Sequence, residues 1–328
     1  MESRIAAEAR EAAAGARRQL VTCAPILADL ANRLHATPPP LVVTCARGSS
    51  DHAATYGKYV IETTTGSLVA SVGPSVASMY QRVPSGLASA LFIAVSQSGK
   101  SPDVLQLTEA AKRAGALVVG IVNDDSSPLA ALCDLVIPLC AGEERAVAAT
   151  KSFLLSGLAL LQIAAAWSGD ATLVDAVARA PECFDAACET PWDLTSLASA
   201  TSLYVVGRGI GLGAAQELAL KLKETCRLHA EAFSTAEVLH GPVALVQPGF
   251  PVVAIEQADR TAAATRDVLA KLEALGATLH RCPAPDAPAL LAPLCQALSF
   301  YLGIPALAAA RGLDADAPVH LAKITKTI

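Results

Sequence analysis

The sequence predicts an α/β protein of two tandem doubly wound parallel-sheet units, with an N-terminal helical segment and a C-terminal tail. Three observations predict it. Short continuous apolar runs alternate with helical stretches, as in a parallel sheet covered on both faces. The set of runs occurs twice along the chain. Hydrophobic residues make up 53% of the 328 residues and charged residues 17%, enough apolar material for a large core.

Residues 2–34 read as helix, with no turn signal before Thr37-Pro38-Pro39-Pro40, so a helical segment is expected over 1–36. Apolar runs then predict strands at 41–45 (LVVTC), 67–72 (SLVASV), 90–95 (ALFIAV), 116–122 (ALVVGIV) and 134–139 (DLVIPL). These fall in a first domain over 37–190. A turn around Pro191 opens a second domain over 191–311. Its strands are expected at 202–206, 250–255 and 277–281, and its helices at 211–229, 260–275 and 293–311. From Gly312 to Ile328 the chain reads as a polar tail.

The two sets form an internal repeat. LVVTCARGSS (41–50) and SLYVVGRGIG (202–211) both read as strand, Arg-Gly, helix start. The same offset of about 160 residues aligns AVSQSGKS (94–101) with AIEQADRT (254–261). The first copy has Ser96 and Ser98 where the second has Glu256 and Ala258, so only the first retains an anion-friendly loop.

That loop, Ser96-Gln97-Ser98-Gly99-Lys100-Ser101, follows a strand and precedes a helix with Pro102 at its first position. Ligands of open parallel sheets sit beyond the carboxyl ends of the strands. Hydroxyls, an amide, backbone N–H groups and a helix N-terminus together make a phosphate cradle. A second polar turn, Arg47-Gly48-Ser49-Ser50, ends the first strand and is expected on the same rim. A turn of this kind alone is also read as a helix cap; two at matching strand ends favour phosphate. No GxxxxGK[ST] is present, and the glycines at 207–213 depart from a dinucleotide fingerprint.

Lys221 and Glu224 are three apart in a predicted helix and share a face. His240-Gly241-Pro242 follows at a turn. A carboxylate, a lysine and a histidine suit proton transfer on a carbon acid; the competing reading is a solvated ion pair. Lys323, taken alone, reads as a surface charge.

Composition excludes other classes. A net charge of −5 and 4% aromatic residues carry no nucleic-acid footprint. Nine cysteines without a CxxC pair read as reduced thiols of a cytoplasmic protein, with no metal site expected. The N-terminus lacks the apolar core of a signal peptide, and the apolar stretch 152–169 carries Ser, Gly and Gln, as in a buried or interface helix and not a membrane span.

GSS (48–50), SQSGKS (96–101), EERAVAATKSF (143–153), ALKLKE (219–224), HAEAF (229–233), LHGPVAL (239–245) and HLAK (320–323) resemble, in order, the motifs of the sugar-isomerase (SIS) family. Within that family the resemblance is to the isomerase half of glucosamine-6-phosphate synthase. It implies flavodoxin-like units and a sugar 6-phosphate substrate, with no cofactor. By resemblance, Ser49, Ser50, Ser96, Gln97, Ser98 and Ser101 match the phosphate cradle, and Val147 and Ala149 match positions lining the sugar. Glu224 matches the base that moves a proton between C1 and C2, and Lys221 a lysine supporting that step. His240 matches the ring-opening acid/base, which in the family reaches in from the neighbouring subunit, so a homodimer is implied. Lys323 matches a tail lysine that closes over the sugar and can hold it as a Schiff base. Lys100-Ser101 stands where Glu-Thr is common, and Ala149 where Ser is frequent.

Some 40 residues precede the first strand, too few for the glutaminase domain of the synthases, so the sequence looks like the stand-alone relatives that release ammonia. The expected activity is an isomerising glucosamine-6-phosphate deaminase yielding fructose 6-phosphate and ammonia. Fructosamine-6-phosphate deglycase, galactosamine-6-phosphate deaminase, an aminotransferase-like enzyme and a non-catalytic sugar-phosphate sensor are the alternatives. A sensor usually carries a helix-turn-helix domain, for which residues 1–35 are too short.

Overall fold

The computed structural model describes residues 3–283 and 286–323. In chain order the elements are helices α1 (Arg4–Arg10) and α2 (Ala12–Ala36), strand β1 (Val42–Cys45), α3 (Ser49–Thr65), β2 (Val69–Ser71), α4 (Ser75–Ser78), β3 (Leu91–Ser96), α5 (Pro102–Arg113), β4 (Leu117–Val122), α6 (Pro128–Leu132), β5 (Leu135–Pro138), α7 (Lys151–Ser168) and α8 (Ala171–Cys188). There follow β6 (Ser202–Gly207), α9 (Gly211–Cys226), β7 (His229–Ser234), β8 (Pro251–Ala254), α10 (Ala262–Ala274), β9 (Thr278–Arg281) and α11 (Ala292–Ala310). Short 3₁₀ turns include Thr195–Leu197, Glu237–Leu239 and Pro242–Leu245.

The chain forms two compact units, neither continuous in sequence. One holds residues 14–144 and 155–179; the other holds 3–13, 145–154, 180–283 and 286–323. The first contains a sheet of order β2-β1-β3-β4-β5, parallel throughout, with Val42 opposite both Val69 and Leu91. Every residue of β3 is buried. Phe92, Val118 and Val43 pack there with Leu107 and Leu129. Burying each such side chain contributes about 1.5–3 kcal/mol, which is why runs without polar alternation settle in a doubly covered sheet.

The second unit holds a four-stranded parallel sheet of order β7-β6-β8-β9. Val206, Val252, Leu269 and Leu272 form its core, and Tyr204 packs against Phe233 and Phe250 at ring-centroid distances of 5.1 and 4.9 Å. β6 and β8 occupy the places that β1 and β3 hold in the larger sheet, the correspondence the sequence repeat predicts.

Two elements differ from expectation. The single helix expected over 2–34 is two, α1 and α2, parted at Glu11. β7 was not predicted as a strand: HAEAFS alternates exposed His229 and Glu231 with buried Ala230, and pairs on one side only, with β6. The tail is described as far as Lys323; its residues 324–328 lie outside the described residues.

Helices α7 and α11 are long and apolar enough to cross a membrane by length and composition, but 89% and 78% of their apolar windows are buried, as in core helices of a folded domain.

Candidate active site

The hydroxyl-bearing loops belong to the five-stranded unit. β1 and β3 are hydrogen-bonded neighbours, so the turns that follow them open on the same carboxyl edge of the sheet. Gly48 takes φ +54°, and Ser49 and Ser50 are the first residues of α3, both half-buried. After β3, the buried Ser96 Oγ accepts the Gly99 N–H at 3.2 Å, and Ser98 Oγ accepts that of Lys100 at 3.3 Å. A hydroxyl that accepts a backbone N–H still has its own proton to donate. The serines therefore shape the loop and keep donors for an anion.

Gly99 makes this turn possible. Its φ is +61°, and a Cβ there would lie 2.2 Å from Ser127 Oγ. Ser101 occupies the N-cap position of α5 without capping it through its side chain, and Pro102 starts the helix. The Gln97 carbonyl accepts the Asn123 N–H at 3.1 Å. Arg47 donates from Nε and Nη2 to Oδ2 of the fully buried Asp103, at 2.9 and 2.7 Å, which ties the two turns together. Ser49, Ser50, Ser96, Gln97, Ser98 and Ser101 thus share one rim, beside the N-termini of α3 and α5, where the positive ends of the helix dipoles favour an anion.

The ionisable residues belong to the other unit. Lys221 Nζ on α9 lies 2.6 Å from Glu224 Oε2 and 3.4 Å from Glu217 Oε1. Lys221 is 1% exposed, Glu217 0% and Glu224 20%. Tyr301 on α11 donates to Glu217 Oε1 at 3.1 Å. Burial is the largest influence on Lys221 and pulls its pKa down, yet Glu217 and Glu224 together outweigh it and hold the ammonium above its ordinary value. Lys221 is accordingly a fixed cation. Its bond leaves the partly exposed Glu224 as the group of this cluster that a ligand can reach.

His240 is exposed at the end of the Glu237–Leu239 turn, with its N–H donated to the Glu237 carbonyl at 2.8 Å. Tyr204 Oη donates to the Pro242 carbonyl at 2.8 Å and steadies the Gly241-Pro242 corner behind it. Lys323 is half-buried at the end of the described tail. Val147 and Ala149 are half-buried in the irregular 143–150 loop. Of these predicted residues, the structure joins Lys221 to Glu224 by a hydrogen bond and gathers the six rim residues on one sheet edge.

Sequence reasoning missed Glu217 and Tyr301. Glu217 stands four residues before Lys221, the i,i+4 spacing of a helical ion pair, so the signal was present within an apolar run. It also missed Asp103, the buried partner of Arg47. All nine cysteines are free thiols, and among the described residues no group of three or more His, Cys, Asp or Glu is placed to hold a metal ion.

The SIS domain family profile matches residues 40–166 and 196–280. A glutamine–fructose-6-phosphate aminotransferase (isomerizing) from Aeropyrum pernix is 34% identical over 309 residues, covering 84% of this chain and 49% of the relative. The corresponding aminotransferase from Thermotoga maritima is 31% identical over 315 residues, covering 86% and 50%. The chain therefore spans about half the length of the curated relatives it matches. Among solved structures, a protein from Silicibacter pomeroyi described as a phosphosugar isomerase superposes with a TM-score of 0.89 at 41% identity, covering 96% of this chain and 100% of that one. A glucosamine-6-phosphate deaminase from Thermotoga maritima shares the fold, with a TM-score of 0.74 at 22% identity, covering 95% and 100%.

Proposed function

This chain belongs to the SIS-domain family, and we propose that it is an isomerising enzyme of amino-sugar 6-phosphates, in the first instance a glucosamine-6-phosphate deaminase. The observation that carries the reading is the pairing of Glu224 with the buried Lys221. A lysine fixed at 2.6 Å holds the carboxylate in one orientation, which is what a base working on a carbon acid requires.

In this reading the rim hydroxyls hold the phosphate, and that remote binding energy positions C1 and C2. His240 opens the pyranose by moving a proton from O1 to the ring oxygen. Glu224 removes the C2 proton as O1 takes up a proton, giving an enolamine, and then returns a proton to C1 as the nitrogen gives one up, leaving a C2 imine. Water then hydrolyses the C2 imine to fructose 6-phosphate and ammonia. Lys323 assists as a transient imine partner of the carbonyl carbon. His240 serves the site of a neighbouring copy in a cytoplasmic homodimer.

A second reading is favoured by the aminotransferase relatives: the chain does the sugar isomerisation of a glutamine-dependent synthesis. One assay separates the two. Ammonia release is measured with glucosamine 6-phosphate, galactosamine 6-phosphate and fructosamine 6-phosphate. Amine formation is measured from fructose 6-phosphate with ammonium and with glutamine. Release from glucosamine 6-phosphate supports the first reading, and amination without release supports the second. Inertness toward all of them removes both.

A further inference from the structure

Helix α1 holds two segments that carry site residues, and all its bonds to them lie within one unit. At its start, Asp316 of the tail accepts the N–H of Arg4 at 2.6 Å and of Ile5 at 2.8 Å. These are orphan donors of a helix N-terminus, where a carboxylate also meets the positive end of the dipole. Seven residues further along the tail is Lys323. Towards its other end, the buried Glu8 carboxylate accepts the N–H of Arg145 at 2.7 Å and of Ala146 at 3.1 and 3.3 Å. Just past α1, Glu11 binds the fully buried Lys151 Nζ at 2.6 Å. Between these anchors runs the loop with Val147 and Ala149. The loop has no ladder of its own, so its shape depends on such side-chain acceptors.

We propose that α1 is a positioning element that couples the tail bearing Lys323 to the 143–150 loop, with Glu8 and Asp316 as its positioning residues. The functional part of this inference rests on the reading that both segments serve the sugar. A shift of α1 moves them together, and misplacements of about 1 Å cost up to about a hundredfold in rate.

The test has two readouts. Amide hydrogen exchange is followed in the wild type, Asp316→Ala, and Ser3→Ala as a control. Ser3→Ala removes only the cap on the Ala6 N–H, a 3.3 Å bond, and touches neither segment. Asp316→Ala is expected to speed exchange at Arg145 and Ala146 as well as in the tail by about tenfold, well beyond Ser3→Ala. Faster exchange in the tail alone overturns the coupling, whatever the activity. The second readout is KM for the sugar 6-phosphate turned over by the wild type. Glu8→Ala is expected to raise it about tenfold. Glu8→Gln, whose amide oxygen still accepts both N–H groups, should stay within about threefold. Equal KM for wild type and Glu8→Ala, or an equal rise in Ser3→Ala, overturns positioning. A wild type inert toward every sugar phosphate removes the functional reading and this role with it, while the exchange result still decides whether the two segments are coupled.

Discussion

Lys221→Met deletes a cation lodged between two carboxylates. At 2.6 and 3.4 Å, and an effective dielectric near 20, the gross attractions are about 6 and about 5 kcal/mol. Desolvating a fully buried ammonium takes back several kcal/mol. Removing the lysine also leaves the carboxylate of Glu217, which is 0% exposed, without its counter-charge on Lys221, although Tyr301 still donates to it. The expected loss is about 3–5 kcal/mol, typical of a buried pair broken on one side. Urea unfolding at pH 8 measures it. The elevated pKa means that the lysine's stabilisation is complete below the ordinary value of 10.5 and fades only as pH rises through the folded one, so pH 8 reads all of it. The double variant Lys221→Met/Glu217→Leu removes the stranded charge too and should recover most of the loss. A single variant within about 1 kcal/mol of wild type, or a double variant no better than the single, would refute the reasoning.

Other outcomes follow from the same structure. Glu224→Gln should lower turnover about 10²–10⁴-fold with KM little changed; wild-type kcat would remove it as the base. Glu224→Gln and His240→Ala enzymes, each inactive, should regain about a quarter of wild-type activity after subunit exchange, because half the mixed dimers' sites are intact; no recovery places His240 and Glu224 in the same copy's site. Gly99→Ala forces a Cβ against Ser127 at a positive φ; a stability loss of about 1–3 kcal/mol and weaker competition by inorganic phosphate are expected. Burial holds His280 below its usual value of 6.5. Its neutral form is therefore favoured by folding, so its contribution is present above pH 6.5 and lost as pH falls through the folded value. A His280→Gln variant should show a flatter melting-temperature decline from pH 7 to pH 5.

Much of the fold was legible because its central strands are continuous apolar runs. LFIAVS can satisfy itself only by burial on both faces, and the structure buries all six residues. HAEAFS carries the opposite message: its His and Glu face solvent, so hydropathy alone reads it as loop. The rim loop was legible because a strand, a hydroxyl-rich turn and a Pro-started helix are local features. Asp103 and Glu8 were not, because their meaning lies in partners distant in sequence, whereas Glu217 did carry an i,i+4 signal towards Lys221, set in an apolar run. Tyr301 is 84 residues from Glu217, and Arg145 is 137 from Glu8.

The charges that concealed β7 also guard it. As an outer strand it presents an unpaired row of amide groups, an invitation to self-association between molecules. His229 and Glu231 project from it into solvent, and Lys223 Nζ occupies the Ala230 carbonyl at 2.9 Å. At the opposite margin, Arg281 of β9 is engaged by Glu256 and Glu273. An incoming chain would have to strip water and counter-charges from whichever border it met before adding a rung.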